Sequence, residues 1–570
     1  MRTVPDLLRQ TARLVPDRPA IVLDGGETLT FAELDARSNA FARGLREHGV
    51  GHGDRVALAL GGPAWPRYAV AYFGTLKVGA VALLAGARFG ADELARIVEG
   101  YRVARIVRAD DDLGAGQSAE PLVASAGPGD AAEVVFTSGT TDRPRGVVAT
   151  HANLLRAQVA WPTAVRANQP CAHALPVGSV AAQAVLLNCV GGQHTLLAAA
   201  AFTVAGFTAM AARERAVTVC LVPAMGHWLV RAAPGEAILM PSVKGVSFSG
   251  APLPVPITAD LTTVFPNAAF HNFYTSSETY PARVATRFDP ARPEAVGRPV
   301  GSSAVRVTGP GGAELPPGEA GEVWLRAGGA PPRELLDAGD ARGAGPDQRS
   351  SAGSVDVADG WTRTGDLGYV EADGTLFLTG RASDVVIVGG FNVSTGRVEQ
   401  VLTRHPAVAE AAVCGAEHPV LGEIVAAFVV LKASRTDATV ADLRRHAVER
   451  LTRAELPAVI QIVDDLPRNE AGKVVKRELP ALLSAPGAAE FVAPRTELER
   501  DLAAVWAEVL QTGAVGATDN FFEIGGDSLA ATRIAATSRE RLGVDVDTIA
   551  VLEAPTVAEL AQYIVEREQQ

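Results

Sequence analysis

At 570 residues the chain exceeds what one hydrophobic core can hold, so several folding units are expected. Apolar residues make up 48% and charged residues 20% of it, which excludes wholesale disorder. The net charge of −12 gathers at the C-terminus, where residues 491–570 hold 6 basic and 14 acidic side chains, and nucleic acid is therefore not an expected partner. The four cysteines are scattered without C-x-x-C spacing, indicating neither a disulfide framework nor a zinc site. The first ten residues lack the continuous apolar stretch of a leader. No run of about 18 residues is free of charge and rich enough in large apolar side chains to span a bilayer. A cytoplasmic location without membrane contact is the expectation.

Residues 1–130 alternate helical patterns with short apolar runs. A helix is predicted over Pro5–Leu14, a strand over Ala20–Leu23, an amphipathic helix over Thr30–His48, a strand over Asp54–Leu60 and a helix over Trp65–Lys77, closed by Gly79. Such alternation predicts a layered α/β fold with a mainly parallel sheet. Asp110–Asp130 is rich in Gly, Ala and Asp and reads as a loop, whereas the Ala-rich run Leu196–Met210 reads as buried strand and helix. Ala327–Gly360 is irregular, with Gly-Gly, Pro-Pro and a Ser/Gly/Asp tract, and no role is assigned to it. Beyond residue 380 the pattern changes to strands (Val385–Val388, Val425–Leu431) and helices (Arg397–Thr403, Val440–Leu451), which reads as a separate α+β lobe. Leu482–Pro494 is a Pro/Ala linker, and Thr496 caps a helix over Glu497–Gln511 that opens a small helical unit.

The most informative stretch is Val134–Val148, an apolar strand, a loop rich in hydroxyl and Gly residues, two guanidinium groups and a second apolar run. Successive backbone N–H groups in such a loop form an anion-binding concavity. Thr137, Ser138, Thr140 and Thr141 add donors, and Arg143 and Arg145 add charge. Gly139 and Gly146 would permit positive φ and close approach to a ligand. Read alone, the stretch is either a phosphate loop or an ordinary turn. It is not a Walker loop, because no Gly-Lys-Ser/Thr follows.

Thr137–Gly146 resembles the signature loop of the adenylate-forming superfamily, which comprises acyl-CoA synthetases, luciferases and the adenylation domains of nonribosomal peptide synthetases. The family loop is usually Thr-Ser-Gly-Thr-Thr-Gly-Lys-Pro-Lys-Gly. Here Arg143 and Arg145 stand for the two lysines and add bidentate reach, while Asp142 stands for the third glycine and places a carboxylate beside the expected pyrophosphate. The resemblance implies ATP binding by Thr137, Ser138, Gly139, Thr140, Thr141 and Arg145, with Thr140 among the catalytic residues.

Four further segments resemble family motifs and occur in family order. Asn272–Glu278 is similar to Asn-x-Tyr-Gly-x-Thr-Glu, which implies that Asn272, Tyr274 and Thr275 bind ATP, with the aromatic ring on adenine, and that Glu278 holds Mg²⁺. Mg²⁺ prefers one or two carboxylates plus substrate phosphates, and Glu278 is the only acid between Asp260 and Asp289. Trp361–Leu367 contains Arg-Thr-Gly-Asp-Leu, which assigns Asp366 to the ribose hydroxyls. Gly380–Asp384 assigns Arg381 to the ribose or a phosphate and Asp384 to the hinge between lobes. Pro467–Lys473 resembles the closing Asn-Gly-Lys segment, whose lysine, here Lys473, bridges substrate carboxylate and α-phosphate.

Asp519–Leu529 resembles the attachment site of a peptidyl or acyl carrier domain, with Ser528 receiving 4′-phosphopantetheine. A hydroxyl at a helix N-terminus beside Gly525 and Gly526 suits a phosphodiester, although an Asp-Ser pair is also an ordinary helix cap.

Taken together, the resemblances imply a large α/β N-terminal adenylation lobe over 1–383 and a small α+β C-terminal lobe over 384–485. A linker over 486–495 and an all-α four-helix carrier domain over 496–570 follow. The implied activity is ATP-dependent, Mg²⁺-dependent formation of an acyl-AMP and transfer of the acyl group to the chain's own carrier, as a loading or stand-alone module of nonribosomal peptide or polyketide biosynthesis. The small lobe would swing about Asp384 between the two half-reactions. Implied partners are a small carboxylic acid, a phosphopantetheinyl transferase and downstream condensation, tailoring or acyl-transfer enzymes.

Family members that activate α-amino acids place an Asp near the start of the segment His173–Gln183, to pair the ammonium. No Asp or Glu occurs from His151 to Met210, and a buried unpaired ammonium is unfavourable. The preferred substrate is therefore an aryl or aliphatic acid without a free α-amino group, in a pocket of Val177, Gly178, Ser179, Val246, Phe248, Ser249 and Gly250. The competing reading is an amino acid whose ammonium is held by carbonyls and hydroxyls such as Ser179, Ser249 and Thr275. An acyl-CoA synthetase and an inactive carrier-displaying scaffold are the rival readings of the whole chain. If Lys473 stabilises charge in the transition state, Lys473→Ala lowers acid-dependent pyrophosphate release by about 10²–10³, or about 3–4 kcal/mol.

Overall fold

The Thr-Phe-Ala-Glu run at 30–33 forms a capping box, with the Glu33 N–H donating to Thr30 Oγ1 at 3.1 Å and the Thr30 N–H to the Glu33 carboxylate at 2.8 Å. The helix Phe31–Glu47 starts there, one residue inside the predicted span at each end because Thr30 and His48 are its caps. Helix Trp65–Lys77 forms over the predicted residues with Pro66 in its first turn, and the chain leaves it through Gly79 at φ +83°. Its last side chain, Lys77, is fully buried and donates to Asp35 Oδ1 (2.6 Å), the Asp35 carbonyl, Ser38 Oγ and Asn39 Oδ1 (2.8 Å each). Burial pushes the Lys77 ammonium from its ordinary 10.5 down to about 8, against the opposing pull of Asp35.

In this computed structural model the described residues are 3–86, 89, 91–122, 125–137, 145–156, 169–232, 238–248, 255–330, 333–336, 357–382, 384–388, 391–418, 422–432, 435, 437–452, 455–469, 472–483, 492–510, 512–519, 521 and 528–568. They fall into two compact units: Met1–Leu378 with Glu470–Lys473, and Thr379–Asn469 with Val474–Gln570.

Among the described residues the first unit holds two sheets. The six-stranded one runs, edge to edge, Glu334–Leu336, Arg145–Thr150, Ala131–Thr137, Val81–Leu84, Arg55–Leu58, Val103–Val107. The last four strands are parallel, and the first two are antiparallel additions. The second, fourteen-stranded sheet has parallel pairing through Leu196–Ala198, Cys171–His173, Thr218–Leu221, Gly245–Phe248 and Ala269–Tyr274. It turns antiparallel from Val284–Arg287 onwards. The expected parallel sheet is thus found where helices separate the strands, and antiparallel pairing where short connections join them. The main core lies around the helix Trp65–Lys77, with Trp65, Tyr68, Tyr72 and Phe73 all fully buried. The predicted irregular stretch Ala327–Gly360 contains the strand Glu334–Leu336 and a two-residue strand Val357–Ala358, which a Gly/Pro count hides.

In the second unit a five-stranded sheet (Phe391–Ser394, Val385–Val388, Gly422–Leu431, Val408–His418, Val459–Ile462) carries the helices Thr395–Thr403 and Val440–Val448. The latter ends three residues short of the predicted Leu451, which turns back to donate to Ala447. Among the described residues four α-helices follow, Glu497–Leu510, Ser528–Leu542, Thr548–Glu553 and Val557–Glu568, closed on a core that includes Trp506, Phe521, Ile534 and Leu560. Among the described residues no helix is long and apolar enough to cross a membrane, and the cysteines are free and buried.

Replacing Lys77 by Met strands the Asp35 carboxylate and is expected to destabilise the first unit by about 3–5 kcal/mol in denaturant unfolding. Between about pH 8 and 10.5 the unfolded chain holds more protons at Lys77 than the folded one. Its contribution to stability therefore grows as pH rises through that window and is lost as pH falls through about 8. The difference in unfolding free energy between wild type and Lys77→Met, measured from pH 7 to 10.5, checks the sign.

Candidate active site

The strands on either side of the signature loop pair with Thr137 opposite Arg145 and Phe136 opposite Gly146, so the loop closes a hairpin. Ser138, Gly139, Thr140, Thr141, Asp142 and Arg143 lie outside the described residues, as does the side chain of Thr137. Gly146 needs no positive φ, contrary to expectation. It is required by crowding, since a Cβ there would lie 2.8 Å from Val134 Cγ1 and 2.9 Å from Tyr101 Cε1. Its N–H donates to the Tyr101 hydroxyl at 2.9 Å, which in turn donates to the Leu336 carbonyl at 2.8 Å.

Two predicted nucleotide residues meet, although 92 positions separate them. The Tyr274 hydroxyl, at the end of strand Ala269–Tyr274, donates to Asp366 Oδ2 at 2.5 Å. Asp366 is buried in the strand Trp361–Val370 just after Gly365, which takes φ +75°, and its N–H donates to Thr364 Oγ1 at 3.1 Å. Asn272 is buried one strand residue pair below. Thr275 points its hydroxyl back to the Ala282 carbonyl at 2.7 Å, and Ser276 and Thr279 cap each other across the turn, with the Ser276 N–H on Thr279 Oγ1 at 2.9 Å and the Thr279 N–H on Ser276 Oγ at 3.2 Å. This turn presents half-buried Glu278. Among the described residues no cluster of three or more metal-ligating side chains occurs. A single half-buried carboxylate at this turn fits Mg²⁺ that is bound through one protein carboxylate and substrate phosphates.

The described pocket residues divide. Gly178 takes φ +81°, where a Cβ would come within 3.1 Å of the Leu84 carbonyl, and Val177 is buried beside it. Ser179 caps helix Val180–Gly192: its Oγ donates to the Pro176 carbonyl at 2.8 Å and accepts from the Ala182 N–H at 3.2 Å. Val246 and Phe248 are fully buried in the core, the Phe248 ring facing Gly226 of helix Pro223–Ala232, whereas Ser247 faces the other way and donates to Cys220 Sγ at 3.2 Å. Ser249 and Gly250 lie outside the described residues.

The Lys473 loop belongs to the first unit, and Gly472, at φ +73°, is so close to Val222 that a Cβ would lie 2.9 Å from it. Lys473 itself is exposed. Arg381 and Asp384 belong to the second unit. Lys476 binds Asp384 Oδ2 at 3.3 Å, Glu399 Oε1 at 2.8 Å and Thr395 Oγ1 at 2.8 Å, while the Asp384 carbonyl accepts from the Thr395 N–H and hydroxyl, both at 3.1 Å. Burial raises the Glu399 carboxyl, and Lys476 opposes that shift. Ser528 is the first residue of helix Ser528–Leu542; nothing is described of its side chain.

Sequence reasoning passed over Glu133 and Arg333. Glu133 is buried, its Oε2 accepts from the Tyr72 hydroxyl at 2.9 Å, and burial raises its carboxyl. An acid in the middle of the apolar run Ala131–Phe136 was the available signal, because a charge there conflicts with its surroundings. Arg333 lay in the stretch left without a role.

Residues 8–123 and 100–330 match the family model for AMP-binding enzymes, 397–473 the AMP-binding enzyme C-terminal domain, and 500–564 the phosphopantetheine attachment site. Fold and motifs thus define an AMP-forming ligase joined to a carrier domain, using ATP and phosphopantetheine, with Mg²⁺ standard for such enzymes. The chain belongs to the AMP-binding enzyme family. Fatty acid--[acyl-carrier-protein] ligase ScoC of Streptomyces coeruleorubidus is 30% identical over 507 residues, covering 81% of this chain and 93% of that one. Novobiocin biosynthesis protein H of Streptomyces niveus is 29% identical over 600 residues, covering 98% and 95%. Other relatives are longer: the chain spans 44% of Surfactin synthase subunit 3 of Bacillus subtilis (strain 168) at 26% identity. The solved structure of McyG A-PCP complexed with phenylalanyl-adenylate superimposes with a TM-score of 0.78 over 99% of this chain and 98% of that one, and at 17% identity the likeness is one of fold.

Tyr274→Phe keeps the ring but removes the donor to a buried carboxylate. It is expected to lower kcat/KM for ATP by about 1.5–3 kcal/mol, roughly tenfold to a hundredfold, with the KM of the acid unchanged in steady-state pyrophosphate release.

Proposed function

We propose that this chain activates a carboxylic acid as its acyl-adenylate and transfers the acyl group to its own carrier domain at Ser528, as a loading or stand-alone module of natural-product biosynthesis. The observation that supports it best is the hydrogen bond between Tyr274 and Asp366, which joins two separate nucleotide motifs into one platform. A carboxylate oxygen of the acid attacks the α-phosphorus, the bond to the bridging oxygen breaks, and pyrophosphate leaves with the electron pair. The chain's part is positioning and charge: Tyr274 and Asp366 seat the nucleoside, the signature loop with Arg145 draws charge onto the leaving group, Glu278 would hold Mg²⁺, and Lys473 aligns carboxylate and α-phosphate. When attached to Ser528, the pantetheine arm supplies a thiol that accepts the acyl group as AMP departs. Tethering keeps that acceptor at an effective concentration of roughly millimolar.

The boundaries proposed are 1–383 and 384–485 for the two adenylation lobes, 486–495 for the linker and 496–570 for the carrier. The substrate is an aryl or aliphatic acid without a free α-amino group. No acidic side chain occurs from His151 to Met210 to pair a substrate ammonium, and a buried unpaired ammonium is unfavourable. The partners are a phosphopantetheinyl transferase and enzymes that take the acyl group from the carrier.

Intact-protein mass after phosphopantetheinylation, with Mg-ATP and a mixed panel of acids, tests the reading in wild type and Ser528→Ala. A further mass gain on the wild type alone is the expected result, and its size names the acid. An amino acid adduct would overturn the substrate class. Absence of both loading and acid-dependent pyrophosphate release would overturn the ligase reading itself.

A further inference from the structure

Arg333 is 3% exposed. Its Nη1 donates to the Ser277 carbonyl at 3.1 Å, and its guanidinium carbon lies 5.0 Å above the centre of the Tyr280 ring. Nε and Nη2 are both buried, and neither has a hydrogen-bond partner. These two nitrogens share one edge of the planar guanidinium, so the unpaired groups form an intact two-donor fork. A fork of this geometry matches the paired oxygens of a carboxylate or a phosphate. Buried donors are rarely left unpaired, and two on one permanently charged group carry the full cost of desolvation. The charged and titratable groups facing it are Glu133, Tyr280, Glu278 and Tyr72; burial draws the Arg333 pKa down and these groups draw it back, yet none hydrogen-bonds the fork.

The position of this fork in the chain gives it meaning. The three residues after Arg333, Glu334–Leu336, pair with Val148, Val147 and Gly146 on the strand that leaves the signature loop, and the Tyr101 hydroxyl fastens Leu336. At its other end the guanidinium grips the carbonyl of Ser277, immediately before Glu278. The fork is therefore anchored to both ATP motifs of the first unit.

We propose that Arg333 is an oxyanion-binding residue of the active site, taking a pair of carboxylate or phosphate oxygens from a substrate on its Nε/Nη2 edge. The inference rests on the ligase reading above and adds to it a residue that no motif assigns. The oxyanion comes either from the triphosphate of ATP or from the acid.

Calorimetric titration of full-length wild type, Arg333→Lys and Arg333→Met with Mg-free ATP, adenosine and sodium benzoate distinguishes the sources without turnover. Loss of the ligase activity would therefore leave this result standing, and the reverse. In Arg333→Met, a tenfold or larger loss of ATP affinity with adenosine within twofold of wild type assigns the fork to phosphate. The same loss for benzoate assigns it to the carboxylate. Arg333→Lys keeps the charge but not the fork and recovers only part of either loss. ATP and benzoate both within twofold of wild type would overturn the proposal, as would an equal loss for ATP and adenosine, which marks a purely structural role. If neither variant folds, crystals of the wild type soaked with ATP or benzoate decide. An oxyanion oxygen within about 3.2 Å of Nε and Nη2 supports the proposal, and a fork left without a ligand oxygen in both soaks refutes it.

Discussion

The hydroxyl of Tyr101 is the point on which the nucleotide half of the first unit is built. It accepts from the Gly146 N–H and donates to the Leu336 carbonyl, so one side chain joins the hairpin of the signature loop to a short edge strand from nearly two hundred residues later. The ring is buried edge-on to Phe136 at 5.1 Å, which fixes the hydroxyl from the other side of the hairpin. Only glycine fits at 146 under that ring. The edge strand then delivers Arg333 to the turn that carries Glu278, and two motifs distant in sequence acquire a common frame.

Buried charge is the second organising constraint, because each such group demands partners that only a specific arrangement supplies. Lys77 has four oxygen partners at the end of a core helix. Glu133 has the Tyr72 hydroxyl from the same helix, which ties the helix to the strand leading into the signature loop. Lys476 gathers Asp384, Glu399 and Thr395, so Asp384 is held by a residue three positions after Lys473. Arg333 differs from these three in keeping two buried donors of one guanidinium edge unpaired.

Helix and strand positions, the three-part organisation and the order of the nucleotide motifs were legible in the sequence. They are written in local signals: the Thr30–Glu33 box, the Pro66 and Gly79 boundaries of a helix, the alternation of helix and strand, and runs such as Arg363–Leu367. Antiparallel additions to the sheets, the two short strands inside 327–360 and the core orientation of Val246 and Phe248 were not. Those depend on which strand lies alongside which, and a periodicity of two is the same for either face and either direction.

The sequence by itself determined the chemistry available: a hydroxyl-rich loop, one acid at Glu278, a lysine at 473 and a serine at 528. Only the tertiary structure decided which distant residues meet. The pairing of Tyr274 with Asp366 spans 92 residues, and the Arg333 to Ser277 contact 56, distances over which no local propensity acts. Burial completed the selection, since the same arginine is an ordinary solvated charge on a surface loop and an oxyanion fork once its neighbours exclude water.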